Sequence, residues 1–471
     1  MVSNLNIVVN FALAVILSRL LSPDDIGVFS MSAVLISIAH TFRDFGVTSY
    51  LKREKDLTDQ TIRTARGLLY ITSWTMAVAM FWSAGFWAQF FNEPRVQEVV
   101  HVLALGFVFI PLGAIAQAIM GRELNVVQNT KVTLLSTLVY FAASVALALL
   151  GFEHMTMAWA NLVNILVSGL AYNLFLHRRL PWIPSLRGWR NMVSFGTANI
   201  LTALLKVINT SLPDLVLGRV SVASNVGLFS RATSTVNMVG KVIEPSINYF
   251  TLPYMARMYH ATGNISQDYL RAGSIINSVL LPALAWVALM AHEIVLFLYG
   301  DQWLGAVPAI PWLCAAIGIR TLFTMSTRTV TGVGKPYAAV IPLLATIAGK
   351  VIAIALVFDG SLRSFALAIF VGEMTSIPFY LYLKAAYLKV DILQWASDTA
   401  KIVAIVVAAM LLTKLILPAD LPYFHSIGQF AIAFLSMTIL STIGYWMAKM
   451  PIADEVANIA SSAKKYFLKK R

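Results

Sequence analysis

Ser230, Ser234, Asn237, Lys241, Glu244 and Asn248 follow one another at steps of 4, 3, 4, 3 and 4. That spacing places all six on one face of an α-helix. A second run, Asn199, Thr202, Lys206, Asn209 and Pro213, lies just upstream in equally apolar sequence. Charged groups set in apolar helices pair with one another, line a wet cavity or reach back to a headgroup. Arg231, Arg320 and Lys350 are further embedded cations, Arg320 sharing a face with Thr324, Thr327 and Thr331. Asp44, Asp214, Glu244 and Glu373 are embedded carboxylates. Burial favours the protonated form of such a group and a neighbouring cation opposes it, so each is a candidate for proton exchange. Lys241 and Glu244, one turn apart, equally suit a plain ion pair. The Ser, Thr and Asn residues equally suit hydrogen bonds between packed membrane helices.

The elements that must position these groups are read from composition. Of 471 residues, 58% are hydrophobic and 12% charged, about half the charge of a soluble domain. Apolar runs of roughly 20 residues recur throughout, long enough to cross a bilayer as helices. The chain is therefore an all-α integral membrane protein. About fourteen transmembrane helices are expected, near 2–21, 27–49, 67–91, 98–120, 131–150, 156–176, 192–217, 224–250, 272–298, 305–327, 337–358, 363–385, 398–417 and 424–449. The N-terminal stretch lacks a basic region and a small-x-small cleavage site, so it reads as the first helix rather than a signal peptide. The one cysteine, Cys314, excludes an internal disulfide and a CxxC site. The formal charge of +13 is explained by cytoplasmic loops rather than by nucleic acid.

Loops alternate in charge. "YLKREKDLTDQTIRTAR", "HRRLPWIPSLRGWR" and "AKKYFLKKR" are basic, whereas "SPDD", "NEPRVQE", "GFEH" and "YGDQW" are acidic or nearly neutral. The positive-inside rule places both termini in the cytoplasm. Trp82, Trp87, Trp182, Trp189 and Trp303 lie near helix ends and read as interfacial anchors. Lys384 and Lys389 count among the cytoplasmic charges.

One corner is written twice. "LSRLLSPDDIGVFSMSA" and "LGRVSVASNVGLFSRAT" align without a gap, pairing Arg19 with Arg219, Gly27 with Gly227, Phe29 with Phe229 and Ser30 with Ser230, 200 positions apart. Asp44 and Glu244 keep the same offset. The chain is therefore divided into two six-helix lobes, 1–180 and 181–390, with a final helix pair and basic tail at 391–471. Six helices is an even number, so the repeat is parallel, related by an axis along the membrane normal.

"LSRLLSPDDIGVFSMSAVLISIAHTFRDFGVTSYLKREKDLT", "DLVLGRVSVASNVGLFSRA" and "LYGDQWLGAVPAIPWL" resemble Wzx-type oligosaccharide flippases. The likeness is to the colanic and teichuronic acid branch of the multidrug/oligosaccharidyl-lipid/polysaccharide exporter superfamily. It implies a V-shaped cavity between two lobes, a bacterial inner-membrane location and a cytoplasmic lead upstream of the first helix. It also implies a substrate of undecaprenyl pyrophosphate carrying a sugar repeat unit, moved by ion-coupled alternating access. On that reading Lys206, Lys241, Arg231, Arg320, Lys350, Asn199, Asn209 and Asn237 are candidates for the pyrophosphate and sugars. Glu244, Asp44, Glu373 and Asp214 are candidates for coupling. A polysaccharide polymerase and co-polymerase are expected partners, and nothing calls for a cofactor.

There is no Walker loop, GxSxG or HExxH, and the seven histidines are scattered, which argues against an enzyme. The alternatives are a multidrug exporter or lipid II flippase of the same superfamily, or a membrane polymerase or glycosyltransferase. The last usually needs a larger outer loop. The sugar, the coupling ion and the oligomeric state are not legible.

Overall fold

The computed structural model describes residues 2–44, 46–176, 178, 180–262, 265–417 and 426–453. Their regular structure is helical throughout. The helices are α1 (Val2–Leu20), α2 (Pro23–Asp44), α3 (Val47–Arg53), α4 (Asp59–Phe91), α5 (Arg95–Phe109), α6 (Pro111–Arg122), α7 (Val126–Leu149), α8 (Thr156–Phe175) and α9 (Trp189–Val220). They continue as α10 (Ala223–Thr262), α11 (Ser266–Leu289), α12 (Ala291–Leu298), α13 (Ile310–Leu322), α14 (Thr324–Gly332), α15 (Val340–Val357), α16 (Leu362–Met374), α17 (Ile377–Ala386), α18 (Ile392–Ile416) and α19 (Ser426–Met447). Among the described residues eleven helical segments are long and apolar enough to cross a membrane, twelve if the bent pair α5–α6 is one span.

Several of the expected spans are not continuous rods. The one at 98–120 bends by 56° between α5 and α6, because Pro111 has no N–H to donate back. The Asn173 side chain covers the carbonyl beside the bend, donating to Leu112 O at 2.6 Å. The span at 305–327 begins as a 3₁₀ helix, Asp301–Ala309, and breaks again at Phe323. The span at 363–385 breaks before α17, where Pro378 occupies the first turn. Helix starts carry ordinary caps: the Thr58, Asn125 and Ser361 side chains accept from the N–H of Thr61, Gln128 and Ser364, and Asp391 accepts from Leu393 and Gln394.

The chain folds as two compact units, Met1–Ser230 with Leu298–Trp303, and Arg231–Phe297 with Leu304–Arg471. In the first unit the doubled corner packs on itself. A Cβ on Gly27 would collide with the carbonyl of Ala223, and one on Gly227 with the carbonyl of Pro23. Glycine at both positions lets the α2 and α10 backbones touch. Three residues on, Ser30 Oγ donates to Ser230 Oγ at 3.1 Å.

The paired arginines cap ends in exchange. Arg19 Nε donates to Leu298 O at 3.3 Å, and Arg219 Nη1 to Phe90 O at 2.9 Å. Each copy of the corner thus covers orphan carbonyls at a helix end from the other sequence half. Trp303 belongs to this arrangement. It is 0% exposed and its indole N–H donates to Ser18 O at 2.6 Å, so it is a core residue and not an interfacial anchor. Trp82, Trp182 and Trp189 do face outward.

In the second unit the final helix pair packs on α11. Trp286 meets Phe430 and Phe434 edge-on or tilted, and Leu281, Ala285 and Trp286 border the Ile402–Val406–Met437 core. Lys384 is not a solvated loop charge. It is fully buried, with its ammonium 3.4 Å from the Trp395 ring centre and 4.4 Å from that of Phe323, a cation–π arrangement that offsets its desolvation.

Candidate functional site

Two cavities open inside the first unit. One, of about 580 Å³, is walled by α1, α2, α6, α7 and α8. Its lining is polar but almost uncharged: Asn10, Gln117, Tyr140, Asn161 and Asn164 surround it, with hydroxyls of Thr133, Ser136 and Thr137. Gln117 Nε2 donates to Tyr172 Oη at 3.3 Å, and that hydroxyl donates to Asn129 Oδ1 at 3.1 Å. Gly113 and Gly169 bring α6 and α8 into contact at one wall, since a Cβ on Gly113 would meet Gly169 Cα at 2.7 Å.

The second cavity, of about 560 Å³, lies among α2, α3, α6 and α9. Arg43 and Lys52 line it with Ser37, Thr41, Thr48 and Ser49, while Ile200, Ala203 and Val207 of α9 form an apolar wall. Asp44 is also present, and accepts the Thr48 hydroxyl at 2.8 and 2.9 Å. The two cavities share His40, Arg43, Ala114 and Gln117. The His40 ring leans on Phe107, centroids 4.8 Å apart. Arg43 Nε is shielded from solvent and has no hydrogen-bond partner.

The residues singled out in the sequence fall in both units. In the first, Asp44 lines the basic cavity, Lys206 is exposed on α9, and Asn209 and Asp214 are half-buried there. In the second, Arg320 Nη2 reaches Asn237 Oδ1 at 3.5 Å. Arg231 is buried and Lys241 exposed. Lys350 and Glu373, assigned to different roles, are bound to each other: Nζ and Oε1 are 2.8 Å apart, with side chains 5% and 9% exposed. The side chains of Asn199 and Glu244 lie outside the described residues.

The residues that the cavities add are His40, Arg43, Lys52, Gln117, Asn161 and Asn164. Their signal was present. Asn161, Asn164, Ser168 and Tyr172 step by 3, 4 and 4, a polar helix face as regular as the one on α10. Among the described residues one group could hold a metal ion, Asp25, Glu153 and His154, with donor atoms within 4.8 Å of one another. It sits at the start of α2, away from the cavities at the other end of that helix. Asp25 already accepts the Ser22 N–H and hydroxyl at 3.1 and 2.6 Å.

A multi-span helical bundle with polar cavities among its spans defines a polytopic membrane protein. Its fold is that of the lipid II flippase MurJ in an inward closed conformation, with a TM-score of 0.74, 12% identity, and coverage of 95% of this chain and 98% of that one. An inward-facing multidrug resistance MATE family transporter of the MOP superfamily matches with a TM-score of 0.60, 15% identity, and coverage of 84% and 96%.

The chain belongs to the polysaccharide biosynthesis protein family, whose pattern matches residues 16–308. It is 24% identical to the lipopolysaccharide biosynthesis protein WzxC of Escherichia coli (strain K12) over 316 residues, 65% of this chain and 63% of that protein. It is 23% identical to the succinoglycan biosynthesis transport protein ExoT of Rhizobium meliloti (strain 1021) over 332 residues, 69% and 66%. The matched stretch spans less than two thirds of each relative.

Proposed function

We propose that this protein is a flippase that carries undecaprenyl-pyrophosphate-linked oligosaccharide units across the bacterial inner membrane for surface polysaccharide synthesis. The observation that carries the reading is the pair of joined polar cavities inside a membrane-spanning helical unit, with a shielded arginine at their junction. Sugar hydroxyls and phosphates do not cross hydrocarbon bare, and intramembrane polar linings mark substrate paths. The family and the names of WzxC, ExoT and MurJ support the same activity. Both termini face the cytoplasm on this reading, and the halves 1–180 and 181–390 act as the two arms of ion-coupled alternating access. Among the described residues Asp44 is the coupling candidate that borders a cavity. Export then feeds a polysaccharide polymerase on the outer face.

Deleting the gene in its host tests the reading. Surface polysaccharide is expected to stop while lipid-linked repeat units accumulate on the cytoplasmic leaflet. Units that reach the outer leaflet but stay unpolymerised would overturn it in favour of a polymerase. The MATE-like fold favours one rival, a drug exporter. Cationic drugs call for an acidic, aromatic site, whereas cations outnumber carboxylates around the second cavity.

A further inference from the structure

The two cavities differ in chemistry in a way their common membership of one unit does not require. The α9 wall of the second cavity is apolar, with Ile200, Ala203 and Val207 at steps of 3 and 4, one stripe of a helix. Facing it are the cations Arg43 and Lys52 and the hydroxyls of Thr41, Thr48 and Ser49. The first cavity, beyond Arg43 and His40, holds side-chain amides and hydroxyls and no carboxylate or lysine. The sequence of surfaces is therefore apolar, cationic, then neutral hydrogen-bonding.

We infer that the two cavities form one bipartite headgroup site, the second taking the pyrophosphate and the first the reducing-end sugar. This rests on the flippase reading above. The order of surfaces matches the covalent order of such a lipid: polyprenyl chain, pyrophosphate, sugar. Arg43 stands where both cavities meet, and its planar fork of donors suits two phosphate oxygens at once. Lys52 supplies a second positive charge, and with Arg43 it outnumbers the single carboxylate, Asp44, so the wall keeps a positive balance. Asn161, Asn164 and Gln117 each carry donors and an acceptor, which sugar hydroxyls need and a phosphate does not. The site thus reads the pyrophosphate by charge and the first sugar by hydrogen bonds. Specificity among repeat units belongs to α8 rather than to the cations.

Binding to the full chain in nanodiscs tests this with two probes, undecaprenyl pyrophosphate and undecaprenyl-pyrophosphoryl-glucose. Arg43→Gln is expected to weaken both at least tenfold, since hydrogen bonds to charged groups are each worth about 1.5–3 kcal/mol. Asn161→Leu with Asn164→Leu is expected to weaken the glucosylated probe about tenfold and the bare one less than twofold. Asn161→Leu alone, at a residue that lines the first cavity and not the second, serves the same comparison if the double variant does not fold. Equal loss for both probes in the α8 variants, or loss for neither, would overturn the bipartite site while leaving the flippase reading intact. Failure of the wild-type chain to bind either probe would overturn the flippase reading, and this inference with it.

Discussion

Lys350 on α15 and Glu373 on α16 give the sharpest separation of structure from function. Gly349 and Gly372 bring the two helices so close that a Cβ on Gly349 would collide with Thr375, and one on Gly372 with the Lys350 backbone. Small residues allow this approach between membrane helices. The 2.8 Å ion pair is enclosed there, both side chains more than nine-tenths buried. Lys350→Met leaves a buried carboxylate opposite a methyl group, and Glu373→Leu leaves a buried ammonium. Each is expected to destabilise the second unit by about 3–5 kcal/mol. The double variant removes both charges and should return to within about 1 kcal/mol of wild type, a coupling of several kcal/mol. Denaturant unfolding of the purified protein in detergent measures all four corners of the cycle. Wild-type stability in Lys350→Met, with transport alone lost, would refute the structural assignment. Lys350 would then be a substrate cation, as its sequence context also allows.

Three further outcomes follow from the corner. With Cys314→Ala as background, Ser30→Cys with Ser230→Cys should form a disulfide under mild oxidation, because their oxygens are 3.1 Å apart; a pair that stays reduced contradicts the packing. Gly227→Ala should cost about 1–3 kcal/mol or more, since the Pro23 carbonyl must move. Gly273→Ala, which meets nothing within 4 Å in α11, should be neutral or stabilising by up to about 1 kcal/mol, and unfolding midpoints compare the two. Trp303→Phe should lose about 0.5–1.5 kcal/mol with the hydrogen bond to Ser18, whereas Trp82→Phe, at an 83% exposed position, should lose nothing measurable.

Much of this architecture was legible because hydropathy is a strong, local signal. Most spans were found, although α4 begins at Asp59 rather than near 67 and α10 runs to Thr262 rather than ending near 250, and the repeated corner pointed to a place where two backbones meet at Gly27 and Gly227. What was not legible depended on pairing at a distance. Nothing near Lys350 in the sequence announces Glu373, 23 positions on, as its partner. Trp303 reads as an interface residue by position alone, yet its indole finds the carbonyl of Ser18, 285 residues away. The polar stripe on α8 lies outside the helices that carry the repeat, so nothing in the repeat points to it. Arg43 lies inside the span expected at 27–49, where no spacing singles it out, although it borders both cavities. Hydropathy shows which helices cross the membrane and says nothing of which polar face turns toward which.

Purified protein in liposomes, loaded on one leaflet with undecaprenyl-pyrophosphate-linked repeat units from the producing cell, measures the central claim most directly. Appearance of the sugar on the opposite leaflet, scored by accessibility to an added lectin or glycosidase, is predicted to be fast with wild-type protein. It is predicted to fall at least tenfold with Arg43→Gln. Movement no faster than in protein-free liposomes, across a proton or sodium gradient of either sign, would contradict the account.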